Sequence, residues 1–132
     1  MRGVYKGLAA LALAMTVSGA ALADGADLAK GKKIFARCKA CHTLEEGGPD
    51  RIGPNLYGII GRTAGTKEGF KYSDAMKQKG ADGLVWDDDT LMTYLEKPSD
   101  MVPSTNMAFP GLKKEEDRHN VVAYVESETS PE

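Results

Sequence analysis

The feature that most constrains this chain is the segment Cys38-Lys39-Ala40-Cys41-His42. Two thiols two residues apart, followed at once by an imidazole, form the signature of covalent haem attachment. On one helical turn the two cysteines lie on the same face, where they can reach the two vinyl groups of one porphyrin edge. The histidine that follows is placed so that a neutral imidazole nitrogen can bind the iron. The rest of the chain is then expected to bury a porphyrin, supply a sixth ligand and leave one haem edge accessible.

Three other interpretations of the two cysteines are weaker. A thioredoxin-like redox pair expects a βαβ context, whereas the surrounding pattern is helical. A zinc site needs two more ligands, and the only other histidine is His119, with no third cysteine in the chain. A disulfide between Cys38 and Cys41 would close a very small loop of little entropic value. Haem attachment is the favoured prediction, with these three as alternatives.

The first residues carry the pattern of an export signal. Basic residues precede an apolar run over 8–17, and Ala21-Leu22-Ala23 is an Ala-x-Ala cleavage signal. We therefore predict a cleaved signal peptide over residues 1–23 and a single mature domain over residues 24–132. The alternative is an uncleaved membrane anchor, but the apolar run is short for a bilayer span. Export to the periplasm agrees with the motif, because covalent haem is attached outside the cytoplasm.

The charge balance gives no indication of a nucleic-acid partner. The chain has 17 Lys and Arg residues against 19 Asp and Glu, a net charge of −2. Removal of Arg2 and Lys6 with the signal peptide makes the mature domain more acidic still. A domain of this size builds only a modest apolar core by itself. A buried porphyrin would add a large apolar mass, so the cofactor is expected to form part of the core.

Apolar periodicity predicts an all-α domain with long loops and no clear strand. A first helix capped by Asp27 is predicted to reach Cys38, and a last helix to run from about residue 115 to 128. Between residues 43 and 69, glycines and prolines disfavour regular structure, and so long a loop is expected to wrap a cofactor. Two short helices are predicted between them: residues 74–79, capped by Ser73 and stopped by Gly80, and one that begins at Asp87 or Asp88 and ends before Pro98.

Several further motifs follow the haem signature in a fixed order. They are Gly53-Pro54-Asn55-Leu56-Tyr57-Gly58, Gly61-Arg62, Gly69-Phe70-Lys71-Tyr72, Trp86, Thr90-Leu91-Met92-Thr93-Tyr94-Leu95, Pro98 and Pro103-Ser104-Thr105-Asn106-Met107. On these motifs the chain resembles the class I c-type cytochromes, in the branch of mitochondrial cytochrome c and its bacterial periplasmic relatives. The resemblance implies the small cytochrome c fold, with short helices and long loops around one covalently bound haem c. It also implies that the N- and C-terminal helices cross, at Gly31, Phe35, Val121 and Tyr124.

The resemblance further implies which residues hold the haem. Cys38 and Cys41 would carry the thioether bonds to the porphyrin. His42 and Met107 would be the axial iron ligands, a His/Met pair that raises the reduction potential. Pro54 matches the residue whose carbonyl accepts the N–H of the proximal imidazole, which fixes the tautomer and orientation of the ring.

Six other residues match positions that surround the haem. Tyr94 matches a residue near the distal sulfur, and Phe109 matches an aromatic beside the exposed haem edge. On periodicity alone most of these residues are typical of an ordinary core, so their roles depend on the resemblance. A buried carboxylate needs hydrogen-bond donors and preferably a positive charge. The four that match the surroundings of the haem propionates are Arg62, Tyr72, Trp86 and Thr105.

The rim of the haem edge departs from the family pattern. Ser99, Asp100 and Asn106 stand where the family usually has lysines for docking. Other basic residues, among them Lys97 and Lys113, are kept. The thinner ring of lysines predicts weaker electrostatic steering toward an acidic partner.

The implied function is that of a one-electron carrier, not an enzyme. With both axial positions filled, no site is open to a substrate, and electrons leave through the exposed haem edge. The resemblance implies a soluble periplasmic monomer, without stable membrane insertion, that docks transiently with redox partners. Those partners would be a membrane cytochrome bc complex as donor and a terminal oxidase, peroxidase, reductase or photosynthetic reaction centre as acceptor. Two alternatives are a haem enzyme or gas sensor with a labile sixth position, and a haem-free redox or metal-binding protein.

Overall fold

The computed structural model describes residues 25–132, and the predicted signal peptide over residues 1–23 lies outside this part of the chain. Among the described residues there are helices but no strand, which confirms the predicted all-α fold. None of these helices is both long and apolar enough to cross a membrane. The helices are α1 (Leu28–Phe35), α2 (Asp74–Ala81), α3 (Asp88–Glu96), α4 (Pro98–Met101) and α5 (Glu115–Thr129).

The first three helices begin at side chains that cap their free backbone N–H groups. Asp27, Ser73 and Asp87 each accept a hydrogen bond from the N–H three residues further on, at 3.0, 3.1 and 2.8 Å. Such a cap satisfies one of the four N–H groups that a helix start leaves without a partner. α5 has no capping side chain and instead carries three acidic residues in its first turn. Their charges interact favourably with the positive end of the helix dipole.

Two boundaries differ from the prediction. α1 ends at Phe35 and does not reach Cys38, because the chain tightens after Phe35 into turns with bonds such as Cys38 N–H to Phe35 O at 2.8 Å. Gly80 does not stop α2, which continues to Ala81. The carbonyl oxygen of Ala64 lies where a side chain on residue 80 would be. Gly80 therefore allows a close approach of a loop to the helix and does not end it.

A short helix not predicted from the sequence follows α3. Pro98 was expected to end α3, and it does lie just beyond the end of that helix. It is also the first residue of α4, where its lack of an N–H group costs nothing and its fixed φ suits the helix. One proline therefore both ends one helix and begins the next.

The crossing of α1 and α5 forms one end of the core, as predicted. Gly31 lies against α5, where a Cβ at this position would be 2.7 Å from Cβ of Tyr124. The rings of Phe35 and Tyr124 pack with their centroids 5.8 Å apart. Asn120 of α5 also accepts a hydrogen bond from the N–H of Asp27, at 2.9 Å. The two ends of the described chain are thereby joined, and the long loops extend from this pair of helices.

Candidate haem site

The two cysteines lie on a single turn directly after α1. The N–H groups of Cys41 and His42 both donate to the carbonyl of Cys38, at 3.1 and 2.9 Å. Both cysteines are half-buried, and neither forms a disulfide within the described residues. Burial raises the pKa of the Cys38 thiol, because a thiolate there would lose hydration. The turn therefore places two half-buried sulfurs next to one imidazole.

The imidazole of His42 is fixed on one side by the backbone. Its Nδ1 lies 2.8 Å from the carbonyl oxygen of Pro54. A carbonyl can only accept, so Nδ1 carries the hydrogen and Nε2 keeps a free lone pair. Burial lowers the pKa of the imidazole, and the bond to Pro54 only partly offsets this, so the neutral form is favoured. A neutral ring with a free Nε2 is the form that binds iron.

Glycine is required beside this ring. A Cβ on Gly53 would lie 2.5 Å from Cε1 of His42 and 2.9 Å from both ring nitrogens. The N–H of Gly53 donates to the carbonyl of Cys41 at 2.9 Å, so the loop is fixed directly to the haem motif. The following loop is held by Asn55, which is 4% exposed and donates to the Thr43 hydroxyl at 2.9 Å. These contacts make the His42 side of the site a closely packed shell.

Met107 lies in the loop between α4 and α5, where its sulfur meets a phenol. The Tyr94 hydroxyl donates to Sδ of Met107 at 3.2 Å. Burial raises the pKa of Tyr94 above its ordinary value of 10.0, so the phenol remains a donor at neutral pH. The N–H of Met107 donates to the Thr105 hydroxyl oxygen at 3.1 Å. The Tyr94 hydroxyl therefore contacts the sulfur, whereas Thr105, which the resemblance matches to the surroundings of the propionates, bonds to the backbone of Met107.

Arg62 and Trp86 are brought side by side by a short antiparallel pairing. The N–H of Trp86 donates to the carbonyl of Arg62 at 2.9 Å, next to an isolated bridge between Thr63 and Val85. One guanidinium nitrogen of Arg62, Nη2, donates to the carbonyl of Tyr57. The other, Nη1, is buried and has no partner within the part of the chain that the structure describes. A buried guanidinium N–H without an acceptor fits an anionic group such as a haem propionate.

Three of the predicted residues contact different parts of the chain. Trp86 packs on Tyr94, with ring centroids 4.9 Å apart, so the Arg62 side is continuous with the Met107 side. Tyr72 is joined instead to the loop before it, where its hydroxyl oxygen accepts from the N–H of Lys67 at 3.2 Å. Phe109 stacks under the guanidinium of Arg37, 5.3 Å from its ring centroid. This contact connects the start of the haem motif to the Met107 loop.

The residues present fit a haem on three independent grounds. Within residues 25–132 a buried arginine nitrogen has no acceptor, an imidazole is fixed with one nitrogen free, and a thioether accepts a hydrogen bond from a phenol. The contacts also include residues that the sequence did not single out as part of the site. Gly53 and Asn55 both lie in the Gly-Pro-Asn-Leu-Tyr-Gly motif over residues 53–58, and this motif was the one signal that could have identified them. Asp50 and Lys67 are charged loop residues with no periodicity, and nothing local pointed to their pairing.

The helical fold and this set of side chains define a class of protein, the small haem-binding electron-transfer domains. A family model described as Cytochrome c matches residues 28–129. Cytochrome c of Gibberella zeae is 49% identical over 106 residues, which cover 80% of this chain and 97% of that protein. Cytochrome c of Arabidopsis thaliana is 48% identical over 104 residues, covering 78% and 90% of the two chains. Cytochrome c2 of Afifella marina is 48% identical over 100 residues, covering 76% and 81%.

The chain belongs to the cytochrome c family, which confirms its resemblance to the class I c-type cytochromes. It carries one covalently attached haem c, and its two cysteines fit the attachment motif of the family. It is an electron carrier and not an enzyme, and it works by exchanging electrons with redox partners.

Proposed function

We propose that this chain is a periplasmic one-electron carrier whose haem iron is bound by His42 and Met107. It would take electrons from a membrane cytochrome bc complex and deliver them to a terminal oxidase, reductase or photosynthetic reaction centre. Residues 1–23 would be the cleaved signal peptide and residues 24–132 the mature domain. The presence of cytochromes c2 of bacteria among the relatives supports this assignment.

The observation that carries the proposal is the hydrogen bond from the Tyr94 hydroxyl to Met107 Sδ, at 3.2 Å. A methionine that serves only to fill a core has no need of a donor aimed at its sulfur. With its sulfur held in this way, Met107 would bind the haem iron together with the free Nε2 of His42. A soft thioether together with an imidazole as iron ligands would favour ferrous iron and raise the potential.

When bound, the haem supplies the one-electron couple of its iron. The chain's own residues shield the haem from water and hold its ligands in place. The bond from His42 to Pro54 fixes the imidazole plane, and the packing of Gly53 prevents the ring from turning. The free Nη1 of Arg62 would bind a propionate and keep its charge balanced. With His42 and Met107 both bound to the iron, no coordination position would be left for water or a substrate, so the site would transfer electrons and not act on a bound molecule.

Carbon monoxide binding tests the ligand set. The reduced native protein is expected not to bind carbon monoxide, and Met107→Ala is expected to bind it readily. Met101→Ala is the matched control, because this methionine packs against the core and is expected to leave the iron closed. Ready binding by the native protein would contradict the proposal and favour a haem enzyme or gas sensor.

Compartment and partners need two further measurements. The amino-terminal sequence of the mature protein is expected to begin at residue 24, and an intact residue 1 would contradict export by a cleaved signal.

Transfer rates to purified oxidases and reaction centres should fall with ionic strength if surface lysines steer docking. A flat response would exclude such steering.

A further inference from the structure

A half-buried ion pair joins the two loops on the Pro54 side of the site. Nζ of Lys67 lies 3.0 Å from the carboxylate of Asp50, and the two side chains are 24% and 25% exposed. Every other ion pair within residues 25–132 includes a side chain that is more than half exposed. Exposed pairs contribute little, because water and salt screen them. The Asp50–Lys67 pair is the one whose environment strengthens the interaction.

The carboxylate of Asp50 reaches His42 through a single peptide group. Oδ1 of Asp50 accepts from the N–H of Asn55 at 2.7 Å. The carbonyl of that same peptide group belongs to Pro54 and accepts from Nδ1 of His42 at 2.8 Å. A peptide group is planar, so a group that fixes its N–H also fixes the direction of its carbonyl. The order of contacts is therefore carboxylate, peptide, imidazole.

This order of contacts has an electronic consequence. Hydrogen bonds in a row polarise one another, so a carboxylate on the N–H makes the carbonyl of the same peptide a stronger acceptor. A stronger acceptor at Nδ1 raises the basicity of the imidazole as a ligand. The bond from Asn55 is the main cause that holds the pKa of Asp50 below its ordinary value; partial burial opposes this shift and Lys67 adds to it. Asp50 is therefore a carboxylate at neutral pH.

Lys67 extends the connection to a second residue of the site. Its own N–H donates to the hydroxyl oxygen of Tyr72 at 3.2 Å, and its Nζ also donates to the carbonyl of Glu68 at 3.4 Å. The lysine is thus held at both ends, by Asp50 and by its own loop. With its oxygen occupied by this N–H, the Tyr72 hydroxyl directs its hydrogen elsewhere.

We propose that Asp50 is a positioning residue for His42, which acts through the 54–55 peptide to increase the electron donation of the imidazole to the iron. Lys67 holds the carboxylate in place and moderates its charge. The proposal rests on the proposed function only in taking His42 as an iron ligand. Asp50→Asn keeps an oxygen for the Asn55 N–H but removes the negative charge. The variant therefore tests the effect of the charge while the hydrogen bond itself is kept.

Asp50→Asn is expected to raise the reduction potential and to speed hydrogen exchange at the Asn55 amide and at Nδ1–H of His42. An increase in exchange of about fivefold to tenfold is expected, because bonds to charged acceptors are roughly twice as strong as neutral ones. Lys67→Met is expected to lower the reduction potential, because the positive charge of the lysine then no longer offsets the negative charge of Asp50. This variant also keeps the proposal testable if Asp50→Asn does not fold.

The matched control is the exposed pair of Asp74 and Lys77, whose side chains are 101% and 58% exposed. Asp74→Asn and Lys77→Met change the same charges and do not touch the 54–55 peptide. The inference is overturned if each variant shifts the potential only as much as its control and exchange at Asn55 and His42 stays unchanged. Exchange at Asn55 depends on Asp50 whatever the sixth ligand is, whereas the carbon monoxide experiment decides the ligand set. The two results are therefore independent.

Discussion

The two sides of the proposed iron site are held in very different ways. On the His42 side, a backbone carbonyl fixes the ring, a glycine packs against its face and the next loop bonds to the haem motif. On the Met107 side, the loop is anchored by Val102 and Leu112, which are 0% and 3% exposed. None of residues 103–110 between these anchors is fully buried. The Met107 side is therefore the one expected to open first, because few buried contacts hold it.

The backbone of the Met107 loop adds to this difference. Ser104 has a φ of +64°, and it is the only non-glycine residue with positive φ in the part of the chain that the structure describes. A residue with a Cβ in this region costs about 1–2 kcal/mol relative to the ordinary conformation. That cost is released when the loop opens. The comparison indicates that local packing alone can make one proposed ligand rigid and the other labile.

The largest effect is expected from removing the ligand on the weaker side. Met107→Ala takes away the soft sulfur that favours ferrous iron, so the potential should fall on the order of 0.2 V, within the roughly 0.8 V range that axial ligands span. A redox titration measures this shift. Met101→Ala is again the control, and an equal shift in both variants would contradict the assignment of Met107.

The next effect is expected on the side that is closely packed. Gly53→Ala places a Cβ 2.5 Å from Cε1 of His42, so the ring or the loop must move. Overpacking of this kind costs about 1–3 kcal/mol in the free energy of unfolding. Denaturant titration measures it. Gly47→Ala, in the same loop, has nothing within 4 Å of its new Cβ and tests the left-handed φ alone. An unchanged free energy of unfolding in Gly53→Ala would show that the His42 side is less tightly packed than described.

A smaller effect is expected from loosening the hold on the sulfur. Tyr94→Phe removes the donor to Met107 Sδ, a bond worth about 1 kcal/mol. Imidazole should then bind the ferric protein about fivefold more tightly, because the ligand loop opens more often. Tyr124→Phe in the helix crossing is the control and should leave imidazole binding unchanged. If the two variants bound imidazole equally tightly, Tyr94 would have no role in holding the Met107 loop closed.

The smallest effect is expected from relieving the strain in the loop. Ser104→Gly should weaken imidazole binding by a few-fold, because glycine adopts positive φ without cost, although it also makes the open loop more flexible. Ser104→Ala keeps the Cβ and is expected to show no such weakening. If the alanine variant behaved like the glycine variant, the hydroxyl and not the backbone would be responsible.

Local signals predicted the parts of the fold that depend on neighbours in sequence. The starts of α1, α2 and α3 were given by Asp27, Ser73 and Asp87, because a cap acts within three residues. Gly80 was misinterpreted for the opposite reason. Its role is set by the carbonyl of Ala64, a contact that no local pattern encodes.

The candidate site was predicted by resemblance more than by chemistry. The haem motif is explicit in the sequence, but the ordering of His42 by Pro54 and of Met107 by Tyr94 requires the fold to be known. The burial of a charged side chain could not be predicted from the sequence either. Arg118 lies inside α5 at 9% exposure because the carbonyls of Leu112 and Lys113 accept from its guanidinium at 2.7 and 3.0 Å. Charged residues are mostly exposed, so no local pattern predicts the burial of Arg118.

The crossing of α1 and α5 has a consequence for the order of events as the chain is made. Gly31 and Phe35 have their partners in the final helix, so the domain closes only when that helix is present. Chains emerge from the amino terminus first. The turn that carries Cys38 and Cys41 therefore emerges well before the helix that closes over it. Until the last helix packs against α1, both sulfurs are accessible to the porphyrin, and folding afterwards encloses the attached haem.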